Sequence, residues 1–468
     1  MSCLSGALFH VTDLRCQHSL DLKEGPLELP WPSQAEIPTL IRYCLVTAYS
    51  SPDWQHILLA MPATRCKPKL ISNVPRFVID LSLSPRERYK GLAEAYRPQL
   101  RSLTSLFNGL LADLGIPVLC HQPINRLAGL LLRGVHSPVE TAELQGIATS
   151  AGIPMYLLVS FNVVLDLLMG CTSGGVRTLE RDQSRSQARM VHFRTLDWSM
   201  DPLRSVVVQL DFVRTQSAHP TQVLATTITY VGFVGVLTGV REGLSMSLNF
   251  RAVHKADTRA AQFRFYLHHL LVLLGRRASI SSLLRSYLLP EATGAETPPK
   301  SLATISQELT PRHTTAAYLV FSDGVSTVVM EKDYNTAAIR QSSSFIAATN
   351  HDADEPECES GSSHAANQMG TNVAKRVEGL EELLDESRDR LECIANKWKA
   401  TTRRTARQAK KDGSRSLGNV EDNAAVTAAE VVKWISAYPT TNESTHFATV
   451  LDPQHGQVIW TRVYAETE

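Results

Sequence analysis

The strongest constraint on how this chain folds is an abrupt change of texture at Cys171. An apolar run from Gly152 to Gly170 stops there, and the residue pattern differs on its two sides. Upstream the spacing is helical. Ser84-Pro85-Arg86-Glu87 has the form of a capped helix start with proline in the first turn, and Leu92, Tyr96, Leu100, Leu103, Leu106, Phe107 and Leu110 follow at helical intervals. Val139 to Ala151 and Met155 to Met169 read as two further helices separated at Ile153-Pro154. Downstream the composition is β-type over Ser205 to Val213, Val223 to Gly232, Leu244 to Arg251, Ala316 to Phe321, Val325 to Glu331, Phe345 to Thr349, Thr445 to Leu451 and Val458 to Tyr464. Helices are expected between these strands at Thr258 to Leu274, Ser279 to Leu288, Val373 to Lys399 and Thr427 to Ser436. Strands bracketing groups of helices predict an α+β layered domain over 171–468, preceded by a mainly helical segment, 75–170, whose Phe77 to Leu83 alternates like a strand. Residues 1–74, rich in proline and cysteine and without periodicity, read as an N-terminal extension of uncertain order.

A formal net charge of +1 over 468 residues gives no electrostatic case for a nucleic-acid partner, and a small or lipid-like substrate fits better. The eight cysteines form no Cys-x-x-Cys pair and have no histidines at zinc spacing, so neither a metal nor a cofactor is expected. Met1 to Gly6 lacks a basic segment followed by an apolar core, which predicts an intracellular protein, cytoplasmic or peripheral to membranes. The Gly152 to Gly170 run is close to spanning length but carries Asn162 and Asp166. An aspartate at the bilayer centre costs about 2.5–3.5 kcal/mol, so the run reads as a core helix.

Two segments read as surface loops: Asp352 to Met369, acidic and then rich in Ser, Gly and Ala, and Thr401 to Ser416, with Arg403, Arg404, Arg407, Lys410, Lys411 and Arg415. The basic run is expected to be a solvated helix end or linker, with contact to an anionic membrane surface as the alternative. The glycines from Gly232 to Gly239 lack the following helix N-terminus that phosphate binding needs, and close sheet packing explains them. Asp211 reads as a satisfied structural carboxylate. Arg194 and Asp197 follow Cys171 at the distance of one hairpin; in a strand their spacing puts them on opposite faces, and only a bend at the strand end brings both to one site. Spacing alone favours a surface ion pair.

Met169-Gly170-Cys171-Thr172-Ser173 with Arg194-x-x-Asp197 resembles the start of the catalytic subunit in the acid ceramidase and N-acylethanolamine acid amidase family of N-terminal-nucleophile hydrolases. The resemblance continues, in order and spacing, through Val207 to Phe212, Tyr230 to Gly239, Gly243 to Asn249 and Thr349-Asn350-His351-Asp352, and upstream through Val78 to Leu81 and Pro85 to Tyr89. It implies an αββα sandwich and autocatalytic cleavage between Gly170 and Cys171. The prosegment, 75–170, then stays bound as the smaller subunit of a heterodimer with 171–468. It also implies hydrolysis of ceramide to sphingoid base and fatty acid through a Cys171 acyl-thioester. An N-acylethanolamine amidase or related acyl hydrolase or acyltransferase is the alternative, and a non-catalytic lipid-binding protein is the alternative of a different class. Carried over by position, Cys171 is nucleophile and, through its freed α-amine, general base; Arg194 and Asp197 are its polar supports; and Asn350 donates to the oxyanion. The α-amine suits this role because its ordinary pKa, about 7.7–8.0, lies near working pH.

Three departures from that pattern stand out. The arginine expected close after Asn350 is displaced by an insertion, Asp352 to Leu384, which makes Arg390 the match and Arg388 its competitor. Phe250 follows Leu248-Asn249 where acid ceramidases have a glutamate. The long N-terminal extension is the third, set against the lysosome-like compartment that the resemblance implies.

Overall fold

The computed structural model describes residues 70–71, 74–106, 117–164, 170–180, 184, 187–198, 200–251, 254–256, 258–289, 300–353, 378–411 and 423–465. The expected extension, the end of the Met155 to Met169 helix, most of the Asp352 to Met369 loop and Cys358 therefore lie outside the described residues.

The strands are β1 (Leu70–Ile71), β2 (Arg76–Asp80), β3 (Gly170–Thr178), β4 (Arg189–Asp197), β5 (Val207–Val213), β6 (Ala225–Tyr230), β7 (Thr238–Arg241), β8 (Leu244–Phe250), β9 (Ala317–Ser322), β10 (Thr327–Lys332), β11 (Ala337–Ser342), β12 (Phe345–Ala348), β13 (Thr445–Asp452) and β14 (Gln457–Tyr464). They form one sheet of order β1-β14-β13-β4-β3-β12 and a second of order β11-β10-β9-β8-β7-β6-β5-β2. Among these described strands the pairings are antiparallel except β2 on β5. The helices are α1 (Lys90–Ala95), α2 (Arg97–Ser102), α3 (Val118–Leu131), α4 (Pro138–Ala151), α5 (Met155–Val164), α6 (Arg259–Leu273), α7 (Ile280–Leu288), α8 (Leu302–Leu309), α9 (Glu378–Lys411) and α10 (Ala428–Ile435).

Side-chain alternation explains the layering. Along β3 and β4, Cys171 and Leu196 point inward and join Met246, Leu248 and Leu319 of the second sheet in one apolar cluster. Val176, Val191 and Phe193 point outward and join Ile394 and Trp398 of α9 and Val431 and Ile435 of α10. On the far side, α7 packs on β7 and β8, so the order across the domain is helix, sheet, sheet, helix, as expected. Gly175 marks how closely the sheets approach: a β-carbon there would run into the Thr327 side chain of the opposite sheet.

The segment upstream of Cys171 is built into this core. Helix α4 starts as its sequence dictates, with Ser137 accepting from the Glu140 N–H and proline at the first position, and ends at Gly152 in the left-handed region, φ 68°. Glu143 of α4, fully buried, accepts from both terminal nitrogens of Arg285 on α7 at 2.6 and 2.7 Å and from Arg88 at 2.9 Å. Asn162 of α5 donates to the Gly232 carbonyl and accepts from the Val234 N–H, each at 2.8 Å. Strand β2 closes the edge of the second sheet.

Several expectations need correction. The basic run is not a loop: α9 continues through Lys411, so the charges up to that point form a solvated helix end. Its length overrode the composition because Ile394 and Trp398 anchor the preceding turns. Asp352 is buried rather than at the surface, gripped by Arg251 at 2.6 and 2.8 Å. The hairpin β3–β4, β7 and β11 fell outside the strand list, while Asp201–Val206, inside it in part, is a 3-10 turn. Asp211 is satisfied, accepting from Arg76, Gln209 and Thr226. The Gly232 to Gly239 stretch packs closely, with Gly235 against Ser281 and Gly239 against Leu288. Among the described residues no helix is long and apolar enough to cross a membrane.

Removing Glu143 leaves the buried Arg285 guanidinium without its counter-ion, which costs about 3–5 kcal/mol. Glu143→Ala is therefore expected to lower the thermal unfolding midpoint markedly, measured calorimetrically; a midpoint within one degree of wild type would show that this pair does not hold α4 to α7.

Candidate active site

Cys171 is the second residue of β3, and in the intact chain Gly170 precedes it within the same strand, paired with Asp197 of β4. The cysteine is wholly buried. Its thiol points into the space between the sheets and its main-chain nitrogen towards the edge where β12 ends, so two sets of partners reach it.

The thiol side is organised by Arg194, which is also wholly buried. Its Nη2 lies 3.3 Å from Cys171 Sγ, while Nη1 donates to Asn249 Oδ1 at 2.7 Å and Ser173 Oγ at 3.1 Å. Ser173 in turn donates to Asn249 at 2.7 Å, and the Asn249 amide donates to the carbonyls of Ala348 and Thr349. Residues 171 and 173 of β3 and 249 of β8 thus form a polar island inside an apolar interlayer. Burial pushes the Cys171 thiol above its ordinary pKa, and the Arg194 charge opposes that rise.

On the nitrogen side, the Cys171 N–H donates to Asn350 Oδ1 at 2.8 Å, and Arg390 Nη2 donates to the same oxygen at 3.0 Å. The Asn350 amide nitrogen donates to the Phe250 carbonyl at 2.8 Å. Asn350 therefore presents its oxygen to the cysteine in the intact chain, not the donor expected for an oxyanion. Asp197 accepts from Thr445 Oγ1 at 2.7 Å, and its other carboxylate oxygen, buried without a hydrogen-bond partner, faces Arg390 at 3.8 Å. Burial raises its pKa, opposed chiefly by Arg390.

Arg194 and Asp197 do lie on opposite faces of β4, as their spacing requires: Arg194 reaches the Cys171 thiol from inside, and Asp197 stands beside Gly170 at the strand end. Between the two arginines after Asn350 the structure discriminates: Arg390 is buried against Asn350, and Arg388 is turned to Asp385 in a more exposed pair. The Phe250 side chain offers no carboxylate, and its contribution is the main-chain carbonyl that receives Asn350.

Sequence reasoning missed Ser173, Asn249, Ser387 and Thr445. The signal for the first two was polar residues at inward-facing parity, and β3 was not recognised as a strand. It also missed His192, two residues before Arg194, whose ring nitrogens each lie 2.9 Å from a hydroxyl, those of Ser245 and Ser247 on β8. Tyr230 was noted only within its glycine-rich stretch; its hydroxyl meets His446 Nδ1 at 2.8 Å, beside Trp198, and burial, with Cys171 nearby, pushes it well above the ordinary tyrosine range. Among the described residues no group of His, Cys, Asp and Glu is placed to hold a metal ion.

A family profile described as the beta subunit of N-acylethanolamine-hydrolyzing acid amidase matches residues 72–136. Acid ceramidase of Mus musculus is 32% identical over 197 residues, 38% of this chain and 46% of that protein. Acid ceramidase of Homo sapiens is 25% identical over 219 residues, 44% of this chain and 52% of that protein. The chain thus spans about half the length of the curated relatives it matches. The solved structure of a Caenorhabditis elegans N-acylethanolamine-hydrolyzing acid amidase ortholog covers 63% of this chain and 99% of its own, at 18% identity and a TM-score of 0.36.

Burial, reinforced by Arg194, holds the His192 pKa at about 3 against an ordinary 6.5. The unfolded chain binds the proton first, so the stability due to the neutral ring is fully present above pH 6.5. It is lost as pH falls towards 3, at up to about 1.4 kcal/mol per pH unit from this residue. NMR of histidine-labelled protein should show the His192 ring neutral from pH 7.5 to 5; titration near pH 6 would contradict the buried geometry.

Proposed function

We propose that this chain, which belongs to the acid ceramidase and N-acylethanolamine acid amidase family, is a self-processing lipid amidase that hydrolyses N-acylsphingosine. The observation that carries the reading is the pair of contacts on one residue: a buried arginine at 3.3 Å from the Cys171 thiol and an asparagine oxygen at 2.8 Å from its nitrogen, with Gly170 immediately before it.

In processing, the Cys171 sulfur adds to the Gly170 carbonyl, the C–N bond breaks, and the thiol proton ends on the released amine; water then cleaves the thioester. A β-carbon on Gly170 would stand at ordinary van der Waals distance from Asp197 Cβ and Arg390 Nη2, 3.4 and 3.9 Å, so the packing around the scissile bond does not itself require glycine. The products are a prosegment and a chain beginning at Cys171, held together by β2 on β5 and by Glu143 on Arg285.

In the mature enzyme the α-amine takes the thiol proton, and Arg194 stabilises the resulting thiolate. Attack on the substrate amide gives a tetrahedral oxyanion. A single hydrogen-bond donor to such an oxyanion typically contributes about 2.7–4 kcal/mol, and Asn350 fills that role once its amide turns from the Phe250 carbonyl. The amine passes its proton to the leaving amino alcohol, and water activated by the same amine hydrolyses the acyl-thioester. Before attack, Asn350 Oδ1 holds the cysteine nitrogen, with Arg390 donating to the same oxygen and facing Asp197. An N-acylethanolamine in place of ceramide is the second reading, favoured by the description of the profile that matches residues 72–136.

Intact mass under denaturing conditions tests the proposal. Wild type is expected as two fragments meeting at Gly170 and Cys171, and Cys171→Ala as one uncut chain. The processed protein is then expected to release fatty acid from ceramide in preference to a short polar amide. An uncut wild type, or preference for the polar amide, would overturn the reading.

A further inference from the structure

We propose that Ser387 is a positioning residue for Asn350, so that α9 grips the asparagine at two points, main chain and side chain. The inference rests on the reading of Asn350 as the residue that orients the Cys171 nitrogen. Ser387 and Arg390 are three residues apart on α9 and therefore lie one above the other on a single face. Both are buried, Ser387 completely. Arg390 holds Asn350 Oδ1 at 3.0 Å, and Ser387 Oγ accepts from the Asn350 main-chain N–H at 2.7 Å.

The chain requires such a grip at this point. Strand β12 ends at Ala348, and the Asn350 N–H is satisfied from a helix 37 residues further along instead of from a sheet ladder. Ser387 is itself braced: it donates to Thr349 Oγ1 at 2.9 Å, and His351 Nδ1 lies 2.8 Å from the serine oxygen and 3.1 Å from the threonine. The hydroxyl is thus fixed by the residues on either side of the one it orients. Because Asn350 has its Oδ1 on the Cys171 nitrogen and its amide on the Phe250 carbonyl, a displaced main chain at Asn350 moves the contact on the reacting residue. Ser387 touches no reacting atom and acts through Asn350.

The test compares Ser387→Thr with Ser387→Val, which fill the same volume and differ only in the hydroxyl, with Asn350→Ala as reference. The measurements are the rate of cleavage between Gly170 and Cys171 by intact mass, kcat and KM of the processed enzyme on a short-chain ceramide, and melting curves. The valine variant is expected to lose about ten- to a hundredfold in kcat and in self-cleavage rate, with KM unchanged, while the threonine variant keeps wild-type values. Equal rates in the two variants, with Asn350→Ala impaired, overturn the role of Ser387 alone. An unimpaired Asn350→Ala overturns the reading of Asn350 and this inference with it. A loss in the valine variant that only follows its melted fraction at assay temperature also overturns the inference.

Discussion

Arg194 carries a full positive charge into the space between two sheets, where an unpaired guanidinium costs several kcal/mol, and the surrounding strands are arranged to hold it. Among the described residues no carboxylate hydrogen-bonds it. Its partners are the Asn249 oxygen, the Ser173 hydroxyl and the Cys171 sulfur, contributed by β8 and β3. A planar fork with several donors can satisfy three such acceptors at once, which a lysine ammonium on a flexible stem does less well. The Arg194 charge opposes, without overturning, the rise that burial imposes on the thiol pKa.

The second set of contacts has a different purpose. Asn350 lies just beyond the end of β12, and Arg390, Asp197 and Thr445 come from α9, β4 and β13, which meet where several strands end. They hold a nitrogen rather than a charge. Sulfur and nitrogen of Cys171 are thus held by separate groups of elements. The ion pair of Arg251 with Asp352, one position beyond Phe250 and two beyond Asn350, ties together the two chain segments that bear the Asn350 contacts.

Much of this was legible in the sequence, for identifiable reasons. The layered fold followed from period-two and helical patterns flanking Cys171, and α4 and α10 begin within one residue of the Val139 and Thr427 starts read from the sequence. The glycine-rich β3 was not legible, because Gly174 and Gly175 give no β-type signal; they are there to let neighbouring groups approach. Arg390 was hard to separate from Arg388 by position because an insertion breaks the spacing, whereas helical geometry separates them directly. Ser173 and Asn249 of the polar island, and His192 with its two serines, went unseen because a buried polar group looks, in a string of letters, like an exposed one.

Strand β2 joins the second sheet as the parallel partner of β5, although it precedes Cys171 in the chain. Under the proposed cleavage, a sheet assembled from one polypeptide becomes a sheet shared by two. Folding of the precursor is a unimolecular event; recovery of the processed protein after unfolding is bimolecular, depends on concentration, and requires a buried ion pair and a strand edge to find each other from solution. The processed form is then durable only as long as it does not open, and its lifetime is governed by the barrier to unfolding rather than by an equilibrium it can revisit.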